Sequence, residues 1–355
     1  MTDFADRHLK RPSPLSDLLS PLGRINSLLQ IQRRNLLSSR AWRPPCKVIS
    51  IGNIVCGGSG KTPFTIYLSG LMQASGYRVG VSHRGYKGGL EKSAPTLISG
   101  RDGLLHEVEA AGDEALLIAS RLPGIPVVVG KHRVAAVSLL LAKYPDLDAV
   151  LLDDAFQHLS IARDLDVVCF DADTGCGNGR VLPAGYLREP LTALNFASLI
   201  VVNHKHPYRE TEAGSDFWAE FRKPLLHCRL QPRDVVSADG KEMEISSLRR
   251  KKLLLISGIA NPDSFEATLK AAGLSWLHHF RFADHHAFTN KAEIRRMACL
   301  ARKYGAETLL CTEKDLAKLA RHGELRDMLL ALRMDLVCED EEALMGLVKL
   351  KVPLS

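Results

Sequence analysis

Short apolar runs alternate with longer amphipathic segments along most of this chain. The runs carry few polar residues, which is typical of strands that are buried on both faces of a parallel sheet. Segments with helical spacing separate them, and this alternation predicts an α/β fold with helices covering a parallel sheet. The predicted strands are KVISIGNI, YRVGVSHR, PVVVG, DAVLLDD, DLDVVCFD, ASLIVVN, KKLLLISGI, WLHHFRF and ETLLCTE.

The helical segments and one interruption divide the chain. Residues 204–250 break the alternation, because they are polar and charged and hold only short strand candidates near LLHCRLQP. The predicted organisation is a helical segment at 1–45, a first α/β domain at 46–203, an irregular connector at 204–250 and a second, smaller α/β domain at 251–355. The helices are predicted in DEALLIASRL, in HRVAAVSLLLAKY, and over residues 62–75, 262–273 and 290–304.

The N-terminal segment has its own pattern. From residue 14 onward, leucines and one isoleucine recur at spacings of three and four, which predicts an amphipathic helix. Residues 1–45 carry eight basic side chains against three aspartates. Such a helix packs on the core of its own protein, or it lies in a membrane interface with leucines among acyl chains and arginines at phosphates. The pattern leaves both interpretations open.

Composition narrows the class of protein. The 355 residues are 46% hydrophobic and 25% charged, as in soluble proteins of about two domains. We expect no transmembrane helix, because no apolar run approaches about 18 residues, and no signal peptide is apparent. Eight scattered cysteines without a CxxC pair favour free thiols over zinc or disulfides. The net charge of +7 leaves nucleic acid, anionic lipid and phosphorylated substrates as candidate partners.

A glycine-rich turn joins the first predicted strand to the first helix of the body. Backbone N–H groups in such a turn can wrap phosphate oxygens, and the helix N-terminus adds its positive end. We expect Lys61 to reach the β- and γ-phosphates of a nucleotide and Thr62 to offer its hydroxyl to Mg²⁺. Val55 stands where GxxxxGK[ST] has its first glycine, but the rest of the turn is present. The predicted phosphate-binding residues are Gly57, Gly58, Ser59, Gly60, Lys61, Thr62 and Pro63.

An acidic pair ends the predicted strand DAVLLDD. Carboxylates at the C-terminal end of a strand lie on the ligand side of an open parallel sheet. Beside a phosphate loop, we expect Asp153 and Asp154 to organise the metal ion, although acidic turn residues without a partner give the same pattern. The sequence does not say which of the two carboxylates lies closer to the metal.

Longer motifs then occur in a fixed order along the chain. The motifs are SIGNIVCGGSGKTP, SHRGYKG, AGDEALLIA, VGKHRVAA, LLDDAFQHLSIARDLDVVCFD, GNGRVLPAGYLREPL, ISGIANPDSF, FADHHAFT and CTEKDLAKL. Together they resemble the tetraacyldisaccharide 4′-kinase (lipid A 4′-kinase) family of Gram-negative bacteria from about residue 15 to 320. The family's own loop has no glycine at the position of Val55, so the incomplete phosphate-loop pattern fits the resemblance.

The resemblance implies a function. Members use ATP and Mg²⁺ to phosphorylate the 4′-hydroxyl of a tetraacyldisaccharide 1-phosphate, which forms lipid IVA in lipid A biosynthesis. It also implies a P-loop kinase that is peripheral on the cytoplasmic face of the inner membrane. An acceptor with acyl chains in the bilayer must be met at the membrane surface, which gives the basic N-terminal helix a reason to bind anionic lipid.

The resemblance also implies roles for single residues. Asp113 corresponds to the family's catalytic base, and its histidine partner falls on His285, which follows Asp284 as in the family's DH pair. The sequence alone does not decide between His285 and His286. Glu114 is expected to work close to the metal or to Asp113.

Further residues are expected around the nucleotide. Gln157 follows the acidic pair and lines the site, and Arg133 holds a phosphate because a guanidinium suits phosphate oxygens. Arg188 and Glu189, in GYLREPL, correspond to a lid over the nucleotide. The family usually has a different residue at the position of Tyr186, so we expect this lid to pack differently here.

Two other classes share part of these signals. A regulatory GTPase or metal-insertion NTPase also pairs a phosphate loop with an acidic strand end, and NHKHP and TEKD are imperfect versions of a guanine-reading motif. A nucleic-acid-binding ATPase would explain the basic N-terminus. However, aromatic residues make up only 6% of the chain, and no stacking platform is apparent, so we expect no nucleic-acid partner.

Overall fold

A computed structural model describes residues 8–85, 88, 94–106, 112–204, 218 and 220–354. The first seven residues, part of SHRGYKG and residues 205–217 of the predicted connector lie outside this description. The chain forms two compact units. The first comprises residues 1–111, 118–229 and 336–355, and the second comprises residues 112–117 and 230–335.

A largely parallel sheet forms the centre of the first unit. Its strands lie in the order β9, β8, β7, β1, β6, β2, β5, β3, β4, and only the pairs β5–β3 and β3–β4 are antiparallel. In β1, Val48 pairs with Val150 of β6, and Ile51 pairs with Val167 of β7. The strands are β1 (Lys47–Gly52), β2 (Val79–His83), β3 (Thr96–Gly100), β4 (Gly103–Leu104), β5 (Val127–Val129), β6 (Ala149–Leu152), β7 (Leu165–Asp171), β8 (Leu199–His204) and β9 (Leu225–Ser237).

Helices follow most of these strands. The apolar strands are almost fully buried, as expected for a sheet covered on both faces. The helices that lie at least partly in this unit are α1 (Pro14–Ser38), α2 (Lys61–Ala74), α3 (Asp113–Arg121), α4 (Arg133–Lys143) and α9 (Glu341–Lys351), with a 3-10 helix at Leu191–Phe196.

The second unit is a smaller parallel sheet. Its strands lie in the order β12, β11, β13, β14, and all three pairs are parallel. The short strand β10 pairs antiparallel with the end of β9. The elements are β10 (Glu242–Met243), a 3-10 helix (Ile245–Leu248), β11 (Leu253–Ser257), α5 (Pro262–Ala271), β12 (His278–Arg281), α6 (Lys291–Tyr304), β13 (Thr308–Thr312), α7 (Glu313–Leu319), α8 (Gly323–Arg326) and β14 (Leu329–Cys338).

The structure confirms the predicted fold class, including the amphipathic N-terminal helix. The two units interleave along the chain, whereas the sequence pattern suggests consecutive domains. The C-terminal helix α9 packs with the first unit, because the Tyr77 hydroxyl donates to the carbonyl of Val352 and the Tyr67 hydroxyl donates to Glu341. The described part of the predicted connector includes the thirteen-residue strand β9.

Helix α1 packs through an unusual face. Its buried residues are Ser16, Gly23 and Arg34, and the Asn26 amide donates to the carbonyl of Leu182 over 2.9 Å. Its large apolar residues point to solvent instead, with Leu18 75% exposed. The other strongly exposed apolar residues of α1 are Leu22, Ile25, Leu28, Leu29, Ile31 and Leu36. The helix therefore attaches to its unit by small and polar side chains and leaves its apolar face uncovered by the described residues.

Candidate active site

The phosphate loop connects β1 to α2 in the first unit. Gly60 caps α2 with a positive φ of 78°. A Cβ at this position would stand 2.5 Å from Nδ2 of Asn203, so only glycine fits both the backbone and the space. No atom lies within 4 Å of a Cβ built on Gly58, so the loop is open there. This geometry leaves the glycine-rich turn accessible at the N-terminus of a 14-residue helix.

Side-chain amides stabilise the phosphate loop through hydrogen bonds to Ser59. The amide of Asn53 donates to Oγ of Ser59 over 2.9 Å, and the amide of Asn203 donates to the carbonyl of Ser59 over 2.7 Å. Gln157 donates to the carbonyl of Asn53 over 2.7 Å. Gln157 was predicted to line the site, and the structure places it as a support for the strand end that leads into the loop.

Asp153 lies beneath the first turn of α2. Its carboxylate accepts hydrogen bonds from the Thr62 hydroxyl at 3.1 Å and from the Thr65 hydroxyl at 2.9 Å. Nε2 of His83 lies 3.6 Å from the same carboxylate. The structure therefore brings together two residues that the sequence assigned to the metal, Thr62 from the loop and Asp153 from the end of β6.

These oxygens suit Mg²⁺. In phosphotransferases Mg²⁺ takes one or two protein carboxylates, substrate phosphates and waters, and a hydroxyl beside a carboxylate provides hard oxygen donors. Among the described residues, no three His, Cys, Asp or Glu side chains form a metal cluster. A Thr–Asp pair therefore fits an ion that shares its coordination with a nucleotide better than an ion held by protein alone.

Asp154 adopts a strained backbone conformation beside Lys61. Its φ is 48°, and its Oδ1 lies 3.4 Å from Nζ of Lys61 and 3.8 Å from Nη1 of Arg188. Burial acts to raise the pKa of Asp154, but the charges of Lys61 and Arg188 outweigh burial and hold that pKa below its usual value. The loop lysine, the acidic pair and the predicted lid arginine thus meet in the first unit.

Two residues that were predicted to contact the nucleotide form bonds within the protein instead. Arg133 is fully buried, and its guanidinium donates to Oγ of Ser82 and to the carbonyl of Asp153. Burial lowers the pKa of Arg133 to about 10. Both carboxylate oxygens of Glu189 accept from Arg34 of α1. Contact of either side chain with a nucleotide would require these internal bonds to open, and both roles stay predictions.

Asp113 belongs to the second unit, at the start of α3. Its Oδ2 lies 3.3 Å from Nδ1 of His285 and 2.9 Å from Nζ of Lys318. Burial acts to raise the pKa of Asp113, but the hydrogen bonds from His285 and Lys318 more than offset it and lower that pKa. The carboxylate is therefore held ionised and oriented.

The second histidine of the DHH sequence has a different partner. Nε2 of His286 lies 2.9 Å from Oε2 of Glu293, and its ring stacks on Phe282. His285 has a positive φ of 60°. The geometry thus pairs Asp113 with His285, the histidine that the family resemblance indicates.

Glu114 follows Asp113 but contacts a different group. Its Oε1 accepts from Nζ of Lys314 over 2.9 Å. Burial acts to lower the pKa of Lys314, but the Glu114 carboxylate more than offsets it and raises that pKa. The expected role of Glu114 close to the metal or to Asp113 stays a prediction.

Sequence reasoning missed Lys318 and Arg34. Lys318 lies in CTEKDLAKL, three residues after Asp315, and this i,i+3 spacing of opposite charges was the only local signal for it. Arg34 was one of many arginines in a basic segment, and nothing local marked it as buried.

A parallel sheet with a GKT loop at one strand end, and an Asp-Asp pair on the neighbouring strand, defines a P-loop nucleotide-binding protein. Comparison with known proteins gives the family. Residues 15–352 match the family described as tetraacyldisaccharide-1-P 4′-kinase, and this chain belongs to that family.

The chain also matches individual members of the family over most of their length. The chain is 36% identical to the tetraacyldisaccharide 4′-kinase of Desulfotalea psychrophila, over 86% of each chain. It is also 36% identical to that of Chromobacterium violaceum, over 89% of this chain and 88% of the relative. Among solved structures, the apo form of LpxK from Aquifex aeolicus in complex with ATP matches with a TM-score of 0.78 at 29% identity, covering 95% of this chain and 99% of that one.

Proposed function

We propose that this chain is an ATP-dependent kinase that phosphorylates the 4′-hydroxyl of tetraacyldisaccharide 1-phosphate to form lipid IVA in lipid A biosynthesis. The observation that carries the proposal is the family match over residues 15–352. The phosphate loop over Asp153 and the Asp113–His285 pair supply the two chemical functions that such a reaction needs.

The first function is to bind the nucleotide and balance its charge. Backbone N–H groups of the glycine-rich turn bind phosphate oxygens, and Lys61 neutralises charge on the transferring phosphoryl group. Thr62, Asp153 and Asp154 are the residues that would hold Mg²⁺, with Glu114 as a further candidate. When bound, the ion neutralises developing charge on the phosphates. Arg188 contributes a second positive charge beside Asp154.

The second function is to take the proton of the sugar hydroxyl. Asp113 is ionised, and a positioned carboxylate can accept that proton as attack on the phosphoryl group proceeds. His285 donates to Oδ2 of Asp113 and fixes its orientation. Because the transition state of phosphoryl transfer is loose, orientation of the hydroxyl contributes more than strong basicity.

The uncovered apolar face of α1 supports binding at a membrane surface. Leu18, Leu22 and Leu28 are each more than half exposed, a costly arrangement in water unless another apolar phase covers them. Exposed arginines on the same segment suit anionic headgroups. Among the described residues, no helix is both long and apolar enough to cross a bilayer. We therefore infer a peripheral association with the cytoplasmic face of the inner membrane.

The test is phosphoryl transfer from γ-labelled ATP to a tetraacyldisaccharide 1-phosphate in mixed micelles. The wild type should transfer label to lipid, and Asp113→Asn should lose about 100-fold or more in kcat. Asp327→Asn, on the surface of the second unit, is the matched control and should retain activity. Absence of lipid phosphorylation by folded, ATP-binding wild type would overturn the proposal. Strong selection for GTP over ATP would favour a regulatory GTPase instead.

A further inference from the structure

A buried lysine contacts the proposed catalytic carboxylate. Only 4% of the Lys318 side chain is exposed. Its Nζ lies 2.9 Å from Oδ2 of Asp113 and 3.3 Å from Oδ1 of Asp315. It also lies 5.6 Å from the centre of the Phe288 ring, a cation–π distance. A lysine is rarely buried unless it is paired, and this one is shared between two carboxylates.

Asp315 is rigidly held. It is fully buried, and its Oδ2 accepts from the backbone N–H of Gly258 at 2.9 Å and from the Thr312 hydroxyl at 2.7 Å. The carbonyl of Gly258 in turn accepts from the backbone N–H of His285 at 3.1 Å. The same peptide segment therefore anchors Asp315, which positions Lys318, and His285, which contacts Asp113.

We propose that Lys318 is a positioning residue for phosphoryl transfer: anchored by Asp315, its ammonium fixes Oδ2 of Asp113 and leaves Oδ1 to accept the proton of the sugar hydroxyl. This inference rests on the proposed function. Both observed hydrogen bonds to the carboxylate fall on Oδ2, and Oδ1 accepts none from another side chain among the described residues.

The arrangement exceeds what folding alone requires. A lone pairing with Asp315 would satisfy the charge of Lys318, yet its shorter contact is with Asp113. Lys314, one turn earlier on α7, shows the alternative: it pairs with Glu114 and is 32% exposed. Lys318 and His285 hold one carboxylate oxygen from two different segments, which restricts rotation of the carboxylate. Restricting that rotation is what a positioning role demands.

A double-mutant cycle distinguishes positioning from a structural role. Lys318→Met should lower kcat for lipid phosphorylation about 100-fold while the KM for ATP stays within about two-fold. In an Asp113→Asn background the same substitution should lower kcat no further, because a residue that acts only through Asp113 has nothing left to position. Lys318→Arg keeps the positive charge, so its kcat should be close to that of the wild type and well above that of Lys318→Met. Lys303→Met, exposed in the same unit, controls for loss of a positive charge.

The outcomes separate this inference from the function on which it rests. Equal losses in the wild-type and Asp113→Asn backgrounds would overturn the positioning role, as would unchanged kcat in Lys318→Met. Failure of the wild type to phosphorylate lipid would instead overturn the proposed function. If Lys318→Met does not fold because Asp315 is left without its cation, Asp315→Asn/Lys318→Met removes both charges of the pair. The cycle then runs with that variant, and the same expectations apply.

Discussion

Arg34 of helix α1 and Glu189 of the LREPL segment form a buried ion pair, with Nη2 and Oε2 2.7 Å apart. The same guanidinium donates to the carbonyl of Phe156 and lies over the Phe156 ring. Glu189 follows Arg188, which contacts Asp154 beside the phosphate loop. The N-terminal helix is therefore bonded to the segment that borders the nucleotide site.

Removal of one partner of this pair should be costly. Arg34→Met leaves the Glu189 carboxylate buried without its cation, and we expect it to lower the free energy of unfolding by about 3–5 kcal/mol. Arg34→Met/Glu189→Gln should recover much of that loss. Urea denaturation measures both, with Arg33→Met, an exposed neighbour, as the control. A loss in Arg34→Met no larger than in Arg33→Met would contradict the prediction.

The hydroxyl of Thr62 should decide the response to Mg²⁺. In the wild type, ATP should raise the melting temperature more with Mg²⁺ than without it, because a ligand that binds only the native state stabilises it. In Thr62→Val, ATP should raise the melting temperature by the same amount with and without Mg²⁺. Thr65→Val is the matched control, since it also removes a hydrogen bond to Asp153 but stays outside the GKT sequence. If Mg²⁺ added to the effect of ATP on the melting temperature as much in Thr62→Val as in the wild type, Thr62 would be excluded as a metal ligand.

Local sequence pattern was enough to predict the fold class, the phosphate loop and the acidic pair beside it. Strand β1, the glycine turn and α2 are contiguous, so the phosphate loop could be identified from adjacent residues. The apolar runs gave the parallel strands for the same reason, because burial on both faces leaves a signal within each strand. Asp153 and Asp154 could be placed at the ligand end of the sheet by their position after β6.

The remaining contacts join residues far apart in the chain. Arg34 and Glu189 are 155 positions apart, and Asp113 and Lys318 are 205 apart. A single sequence carries no local signal for such pairs, and a buried arginine looks like any other basic residue. The apolar face of α1 was visible in its spacing, but only the structure shows that the helix packs through its opposite, polar face.

The exposed leucines of α1 should control binding to lipid. Leu18→Gln/Leu22→Gln/Leu28→Gln should lose most binding to vesicles that contain anionic lipid, because each buried apolar side chain contributes about 1.5–3 kcal/mol. Folding should be unaffected, since these side chains are exposed. Sedimentation with vesicles measures the loss. Leu350→Gln, equally exposed on α9, should bind like the wild type, and retention of full binding by the α1 variant would contradict the proposed membrane contact.

His158 should make the first unit sensitive to mild acid. Burial, together with the charge of Arg133, lowers the pKa of His158 to about 4, against an ordinary value of 6.5. Between these values the unfolded chain binds a proton that the folded chain excludes, so stability is complete above about pH 6.5 and falls as the pH drops toward about 4. His158→Gln should flatten this slope in urea midpoints measured from pH 7 to pH 4.5, whereas exposed His106→Gln should leave it unchanged. An equal slope in wild type and His158→Gln would show that other groups cause the acid sensitivity.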